Sequence, residues 1–166
     1  MSVNLEHCFA EQLRTHQGII YQVVRLYAYT AENRQDLFQE IVLQLWRAFP
    51  KFRQESRVST WIYRVALNTA ISGLRKEKRD VLVFMPDLSA FDRPENSDGA
   101  EQESQLRLLY AGIRQLNDVD KALVMLYLED KSYEEMEDIL GLSQGSLRVR
   151  VNRIKERLRQ LTKKEA

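Results

Sequence analysis

The chain has 166 residues, of which 44% are hydrophobic and 30% are charged, and this length suits one mid-sized or two small globular domains. Only six Gly and three Pro favour an all-α fold, and the single cysteine, Cys8, excludes an internal disulfide framework. With only His7 and His16 near it, we expect neither a metal site nor a cofactor. The sequence has no apolar run of membrane-spanning length and no signal-peptide pattern, so we expect a cytoplasmic protein without direct membrane insertion.

The formal net charge is only +1, but the charged residues are distributed unevenly along the chain. Residues 1–79 carry 12 Lys or Arg against 7 Asp or Glu, and residues 139–166 carry 8 against 2. Between them, residues 80–105 carry 1 against 7, and residues 106–138 carry 4 against 8. Lys and Arg near phosphates gain affinity by releasing counterions, so two basic segments separated by acid indicate two surfaces for a polyanion.

Three or four helices are predicted in the first part of the chain. The first covers about residues 5–27, where apolar residues make a broad face. The second begins near Asn33 or Gln35 and ends at Pro50. Asp36 then lies in its first turn, where a carboxylate complements the positive end of the helix dipole.

The loop FRQESRVSTW at residues 52–61 mixes cations, hydroxyls and aromatic rings, a mixture that suits single-stranded nucleic acid. The spacing of Trp61 suits the core, so we expect that ring to pack inside. The third helix follows and carries a polar stripe centred on Asn68, whose amide both donates and accepts; ordinary solvated surface is the alternative interpretation. The candidate contacts in this block are Phe52, Arg53, Ser56, Arg57, Ser59, Arg64, Asn68, Ser72 and Arg75.

Residues 80–104 are predicted to form an acidic linker. The helical periodicity fails there, and the stretch holds two of the three prolines. The apolar residues at 81–85 and Phe91 are expected to pack on a partner or on a flanking domain.

A four-helix unit is predicted after the linker, and its last two helices have the layout of a helix-turn-helix. Asn117 or Asp118 caps an earlier helix of this unit. Ser132 and Glu135 fit a capping box, and Gly141 supplies the positive φ that ends the first helix of the motif. The final helix begins at Ser143 or Gly145.

The final helix is amphipathic and strongly basic. Its apolar residues recur at steps of four and three over residues 147–161, which predicts one buried stripe. A solvated charge face is one interpretation, but the turn chemistry and the one-sided basicity favour docking on duplex DNA. The cations on its outward positions are Arg148, Arg150, Arg153, Lys155, Arg157 and Arg159.

Three stretches together resemble a known family. DLFQEIVLQLWRAFPKF, STWIYRVALNTAISGLRKEKR and SYEEMEDILGLSQGSLRVRVNRIKERL are similar, in this order, to the extracytoplasmic function (ECF) sigma factors of the sigma-70 family. The resemblance runs from about His16 to Lys163. It implies a sigma region 2-like domain at residues 1–79, a linker at 80–104 and a region 4-like domain at 105–166.

The resemblance also implies how the surfaces are used. Residues 52–60, including Thr60, would capture the melted minus-ten strand of promoter DNA together with Asn68 and the basic end of the third helix at Arg75 and Lys76. The final helix would enter the major groove at the minus-thirty-five element, and the candidate DNA-reading residues are Ser146, Arg148, Val149, Arg150, Asn152 and Arg153. The acidic linker would thread the polymerase near the RNA exit path. An anti-sigma factor is an expected further partner. The residues implied to dock on core RNA polymerase are Asp36, Gln39, Glu40, Leu43, Trp46 and Arg47.

Three positions depart from the family pattern. Glu137 stands where a small Ala is usual, Val149 where a small hydroxyl is frequent and Ser72 where Asp is usual. These changes bear on sequence preference more than on fold.

The sequence leaves two other functions open, and it predicts that the protein is not an enzyme. A sigma-like mimic would sequester an anti-sigma factor without touching DNA, although the arginines of the final helix argue against it. A stand-alone helix-turn-helix regulator would bind operator DNA as a dimer, but it leaves the N-terminal block unexplained. No nucleophile–His–acid set, phosphate-binding Gly loop or metal-ligand spacing is present in the sequence.

Overall fold

In a computed structural model, the backbone is described for residues 2–77 and 100–163, and side chains for residues 4–73 and for 104–163 except Leu106. The described ranges contain no strand and form seven α-helices and one short 3-10 helix, Phe49–Lys51. The described residues separate into two compact units, residues 2–77 and residues 100–163. The predicted all-α fold with two helical domains is confirmed. The α-helices are α1 Ser2–Tyr27, α2 Ala31–Ala48, α3 Val58–Glu77, α4 Ala100–Arg114, α5 Asp118–Leu128, α6 Tyr133–Leu140 and α7 Gln144–Lys163.

The predicted linker lies mostly outside the described residues. This holds for its apolar stretch at residues 81–85 and for Phe91. Helix α4 begins at Ala100, so the backbone of residues 100–104 is helical. The domain boundaries drawn at residues 79 and 104 stay predictions.

In the first unit, α3 packs against both α1 and α2. Val23 on α1, Ile41 on α2 and Leu67 on α3 are almost completely removed from solvent. Trp61 is 9% exposed, and its ring lies 4.8 Å from that of Phe52. The prediction that Trp61 packs inside is confirmed, and the burial anchors the start of α3 next to the loop.

Helix α2 begins earlier than the sequence predicts. The Thr30 hydroxyl accepts a hydrogen bond from the Asn33 amide at 3.1 Å, which makes Thr30 the N-cap. Glu32 is therefore the acid of the first turn, and Asp36 lies beyond it. The prediction that Asp36 complements the helix dipole is wrong, because that effect falls off within the first turn.

In the second unit, α7 packs against α4, α5 and α6. Leu123, Met136 and Leu147 are buried at the centre of this packing. A Cβ at Gly112 of α4 would lie only 2.8 Å from Leu158 Cδ2 of α7, so glycine permits the close approach of these two helices.

Hydrogen bonds at the helix ends define the turn of the helix-turn-helix. The Glu135 amide donates to Ser132 Oγ at 3.1 Å, and the Ser132 amide donates to Glu135 Oε2 at 2.9 Å. Gly141 ends α6 with φ of 72°, and the Ser146 amide donates to Ser143 Oγ at 3.3 Å. The capping box, the left-handed glycine and the start of α7 at Ser143 are as predicted.

Gly141→Ala is expected to destabilise the second unit by about 1 to 2 kcal/mol, because in the left-handed region a Cβ crowds the next carbonyl oxygen. A Cβ at Gly141 would meet nothing within 4 Å, so the cost is conformational. Hydrogen exchange of the α6 and α7 amides measures it.

Gly145→Ala is the matched control. Its Cβ would also enter open space, but the residue lies in the first turn of α7. We expect this variant to be as stable as the wild type or more stable by about 0.5 to 1 kcal/mol. Equal protection in the two variants would contradict the assignment of strain to Gly141.

Candidate nucleic-acid interface

Helix α7 has a buried side and an exposed polar side. Leu147, Val151 and Ile154 are buried against the other helices of the unit. Since a helix turns 100° per residue, the residues at positions 148, 149, 152 and 153 point away from the core. Val149 is 49% exposed despite its apolar side chain. Five of the six predicted DNA-reading residues are exposed on this helix: Ser146, Arg148, Val149, Asn152 and Arg153.

Arg150, the sixth, lies on the flank of α7 that faces α5. Its Nη1 is 3.1 Å from Oδ1 of Asp120, and the two side chains are 38% and 19% exposed. Asp120 belongs to the first turn of α5, where the helix dipole also favours a carboxylate. Arg150 is therefore engaged within the unit. The sequence spacing gave no signal of this, because Asp120 is 30 residues away.

Arg148 lies over an aromatic ring of the preceding helix. Its guanidinium carbon is 5.2 Å from the ring centre of Tyr133 on α6. Such a cation–π contact contributes about 0.5 to 1 kcal/mol at an exposed site. The contact orders a long side chain while its N–H groups stay at the surface.

Glu137, one of the departures from the family pattern, connects the two helices of the motif. Its Oε2 accepts a hydrogen bond from Nε2 of Gln144 at 3.0 Å, and both residues are half-buried. The larger side chain is accommodated because its carboxylate reaches over the turn to the start of α7. Sequence reasoning missed Gln144.

The loop before α3 combines anchored and exposed residues. Phe52 is half-buried against Trp61, and Arg53 and Arg57 are exposed. Gln54 adopts a φ of 58°, in the left-handed region. This conformation turns the chain sharply between the two arginines.

The hydroxyl residues of the loop differ in exposure. Ser56 and Ser59 are half-buried, whereas Thr60 is only 7% exposed because it lies in the first turn of α3 next to Trp61. The Thr60 hydroxyl is therefore not on the surface that the loop presents to a ligand.

The polar stripe of α3 continues from this loop. Asn68 and Ser72 are exposed one turn apart, and Arg64 is half-buried one turn before Asn68. Arg75 and Lys76 belong to the last described turn of α3, but their side chains lie outside the described part.

The outer face of α2 carries the residues implied to bind the polymerase. Trp46 is half-buried, and its ring meets Phe9 of α1 edge-on at 5.1 Å. It lies at the wall of an open groove of about 480 Å³ that also includes Leu43, which is 41% exposed. Five of the six implied residues are exposed: Asp36, Gln39, Glu40, Leu43 and Arg47. The groove is lined by Glu6, Phe9, Phe38, Gln39, Val42, Leu43 and Trp46.

Neither a metal site nor a membrane span is found in the part of the chain that the structure describes. No three His, Cys, Asp or Glu residues within it come together in a way that would hold a metal ion. None of the described helices has the length and apolarity needed to cross a bilayer.

Arg150→Ala and Asp120→Ala are expected to show a coupling free energy of about 0.5 to 1 kcal/mol in a double-mutant cycle of unfolding. The value is kept low because the Arg150 side chain is 38% exposed and solvent screens the pair. The exposed pair of Glu156 and Arg159, 3.9 Å apart, is the matched control and should show almost no coupling. Equal coupling in the two pairs would contradict a structural role for Arg150.

Two regions of the chain each match a sigma-70 domain family. Residues 13–80 match Sigma-70 region 2, and residues 106–158 match Sigma-70, region 4. The first match covers α3 and its loop, and the second covers the helix-turn-helix.

Individual relatives agree with these matches. The chain is 31% identical over 134 residues to the ECF RNA polymerase sigma-E factor of Haemophilus influenzae, a match that covers 73% of this chain and 70% of the relative. It is 24% identical over 155 residues to the ECF RNA polymerase sigma factor SigM of Mycobacterium tuberculosis, covering 93% of this chain and 77% of the relative.

A solved structure has the same fold. The sigma factor RpoE of Bartonella quintana, crystallised with the anti-sigma factor NepR, is similar with a TM-score of 0.76 and 22% identity, over 93% of this chain and 96% of that one. With the family matches and the identity to the sigma-E factor, the chain belongs to the ECF sigma factors of the sigma-70 family.

Proposed function

We propose that this chain is a dissociable subunit of RNA polymerase that binds the core enzyme and directs initiation at specific promoters. The observation that carries the proposal is the exposed basic side of α7, opposite the buried Leu147, Val151 and Ile154. The protein acts in the cytoplasm and is not itself an enzyme. RNA synthesis belongs to the core polymerase.

In this proposal α7 reads the minus-thirty-five element in the major groove. Arg148 and Arg153 supply the donors that suit guanine O6 and N7, and Val149 offers methyl groups to a thymine methyl. Ser146 and Asn152 lie on the same exposed side. Arg150, paired with Asp120, contributes by holding α7 in position.

The loop and α3 form the second contact, with the melted minus-ten strand. Arg53 and Arg57 hold phosphates, Phe52 gives an aromatic edge and Asn68 reads a base. Ser56, Ser59, Arg64, Arg75 and Lys76 extend this surface. Thr60 is buried beneath this surface, so it supports the surface by packing and does not itself contact the strand.

Core polymerase is proposed to dock at the groove between α1 and α2. Leu43 and Trp46 offer apolar surface, with Gln39 beside them and charged residues along the same helix. A helix of the polymerase suits such a groove, because an amphipathic helix buries its apolar side and pairs its polar rim.

An anti-sigma factor is proposed as a further partner. RpoE, which has the same fold, was crystallised with the anti-sigma factor NepR, and CnrH, which also has this fold, was solved with the cytosolic domain of CnrY. Binding of this kind would withhold the chain from core polymerase. A chain released from such a partner would still recognise promoters, so this proposal replaces neither of the two proposed DNA contacts.

Reconstitution with core RNA polymerase tests the function. Core enzyme with the chain is expected to start transcripts at a defined set of sites on promoter-containing DNA, whereas core alone is not. Sequencing the 5′ ends of the transcripts measures it. A chain that neither binds core nor changes the start sites is not a sigma factor.

Leu43→Ala and Val149→Ala together test whether core binding and promoter reading use separate surfaces. Both are exposed apolar truncations, at 41% and 49% exposure, so their effects on folding should be small. Leu43→Ala is expected to weaken core association about 5- to 30-fold, which is about 1 to 2 kcal/mol, and Val149→Ala is expected to leave it unchanged. Titration of labelled core polymerase measures both affinities.

For promoter choice, we expect the two variants to exchange roles. Val149→Ala should alter the preferred minus-thirty-five sequence, and Leu43→Ala should not, when holoenzymes are compared at saturating core. The same change in both variants would mean that the two surfaces are not separate.

Asn68→Ala is expected to weaken binding of a single-stranded minus-ten oligonucleotide to holoenzyme by about 1 kcal/mol, the usual net value of one hydrogen bond. Ser72→Ala, exposed one turn later on α3, is the matched control and should change the affinity less. Fluorescence anisotropy measures both. A larger loss from Ser72→Ala would move the base contact along the helix.

A further inference from the structure

We propose that Glu137 and Gln144 act as one base-reading pair, which selects adenine in the minus-thirty-five element. The inference rests on the proposed function of α7 and adds residues that the sequence analysis did not assign to DNA. Gln144 is the first residue of α7, and Glu137 lies seven positions earlier on α6. Their side chains meet across the turn, with Nε2 of Gln144 3.0 Å from Oε2 of Glu137.

The carboxylate fixes which edge of the amide is free. An ionised carboxylate only accepts hydrogen bonds, so it must face the amide nitrogen of Gln144 rather than the amide oxygen. In the proposed arrangement the carboxylate takes the N–H that lies away from Oε1, so Oε1 and the N–H beside it form the free edge of the amide. That edge presents an acceptor beside a donor.

This arrangement matches adenine and not guanine. In the major groove adenine offers the N6 donor and the N7 acceptor, which a glutamine amide satisfies with two hydrogen bonds. Guanine offers acceptors at both O6 and N7, so the amide oxygen would face another acceptor. A glutamine without Glu137 can still bind adenine, but it can also turn its N–H groups toward guanine, so its discrimination is weaker.

The position of Gln144 suits a base contact. In helix-turn-helix proteins the N-terminal residues of the recognition helix are those that touch base edges. Gly145 and Ser146, which follow Gln144, are exposed, and a Cβ at Gly145 would meet nothing within 4 Å. The start of α7 is therefore uncrowded on the side away from the core.

The charge of Glu137 indicates a role in specificity. A carboxylate beside the DNA-binding surface repels phosphates, so it lowers the affinity for every duplex sequence. Glu137 weakens binding to every sequence, but it also orients the amide of Gln144. Adenine is then favoured because the other bases are penalised. The ordering of Gln144 before DNA arrives also reduces the entropy lost on binding.

Selection from a promoter library tests the pair in the holoenzyme. Wild-type chain with core polymerase is presented with duplexes randomised across the minus-thirty-five element, and the initiating templates are sequenced. We expect an adenine preference at one base pair. Glu137→Ala and Gln144→Ala should each reduce it about 10-fold at that same base pair, and the double variant should lose no more.

Glu134→Ala is the matched control for charge. Glu134 is exposed on the same helix, and its replacement removes the same negative charge. Like Glu137→Ala it should raise affinity for non-specific duplex, but it should leave the adenine preference unchanged. Thermal unfolding of all variants verifies that α6 and α7 remain folded.

Several outcomes would overturn the pair. Losses at different base pairs, additive losses or an unchanged adenine preference each contradict it. Uniform weakening over all sequences in Gln144→Ala would assign that residue to a phosphate instead. If the wild-type holoenzyme selects no promoter, the proposed function fails and the pair fails with it, whereas selection by the wild type with unchanged variants overturns the pair alone.

Discussion

The burial of one stripe of α7 is the constraint on which the recognition surface depends. Leu147, Val151 and Ile154 are removed from solvent by packing against α4, α5 and α6. Because a helix is rigid, burying these three side chains also fixes the direction of every other residue on it. Val149 is exposed for that reason and not because of its own chemistry, since its apolar side chain would otherwise favour the core. Close approach at Gly112 brings α4 against the C-terminal part of the same stripe.

Two polar contacts outside the core then connect α7 to the rest of its unit. Arg150 joins one flank to Asp120 of α5, and Gln144 joins the N-terminal end to Glu137 of α6. Each is partly exposed, so neither contributes much to the stability of the fold. Each contact restrains rotation and sliding of α7, and a small displacement of α7 would change which base edges the proposed reading residues reach. The first unit uses packing instead, because Trp61 and Phe52 anchor the loop from within.

Local sequence signals predicted the helix ends and the helix-turn-helix well. The capping box at Ser132 and the left-handed Gly141 each depend on residues within one turn, so the pattern alone is sufficient. The Thr30 cap was missed because the apolar periodicity of α2 starts after the helix does. Pairs between helices left no periodic signal. Asp120 with Arg150 is defined by tertiary packing, and the burial of Thr60 follows from the direction in which α3 enters the core.

The contact made by Glu137 explains how the helix-turn-helix accommodates a glutamate where its family usually has alanine. Considered alone, a glutamate where the family usually has alanine implies crowding between two helices that must approach closely. In the structure its carboxylate extends to Gln144, so the extra volume lies at the turn and Met136 and Ile139 remain buried beside it. A substitution that only crowded the helices would disturb those neighbours first. Because the added group leaves the core intact and changes what α7 presents at its N-terminal end, the fold accommodates it, and the proposed consequence is for DNA sequence preference.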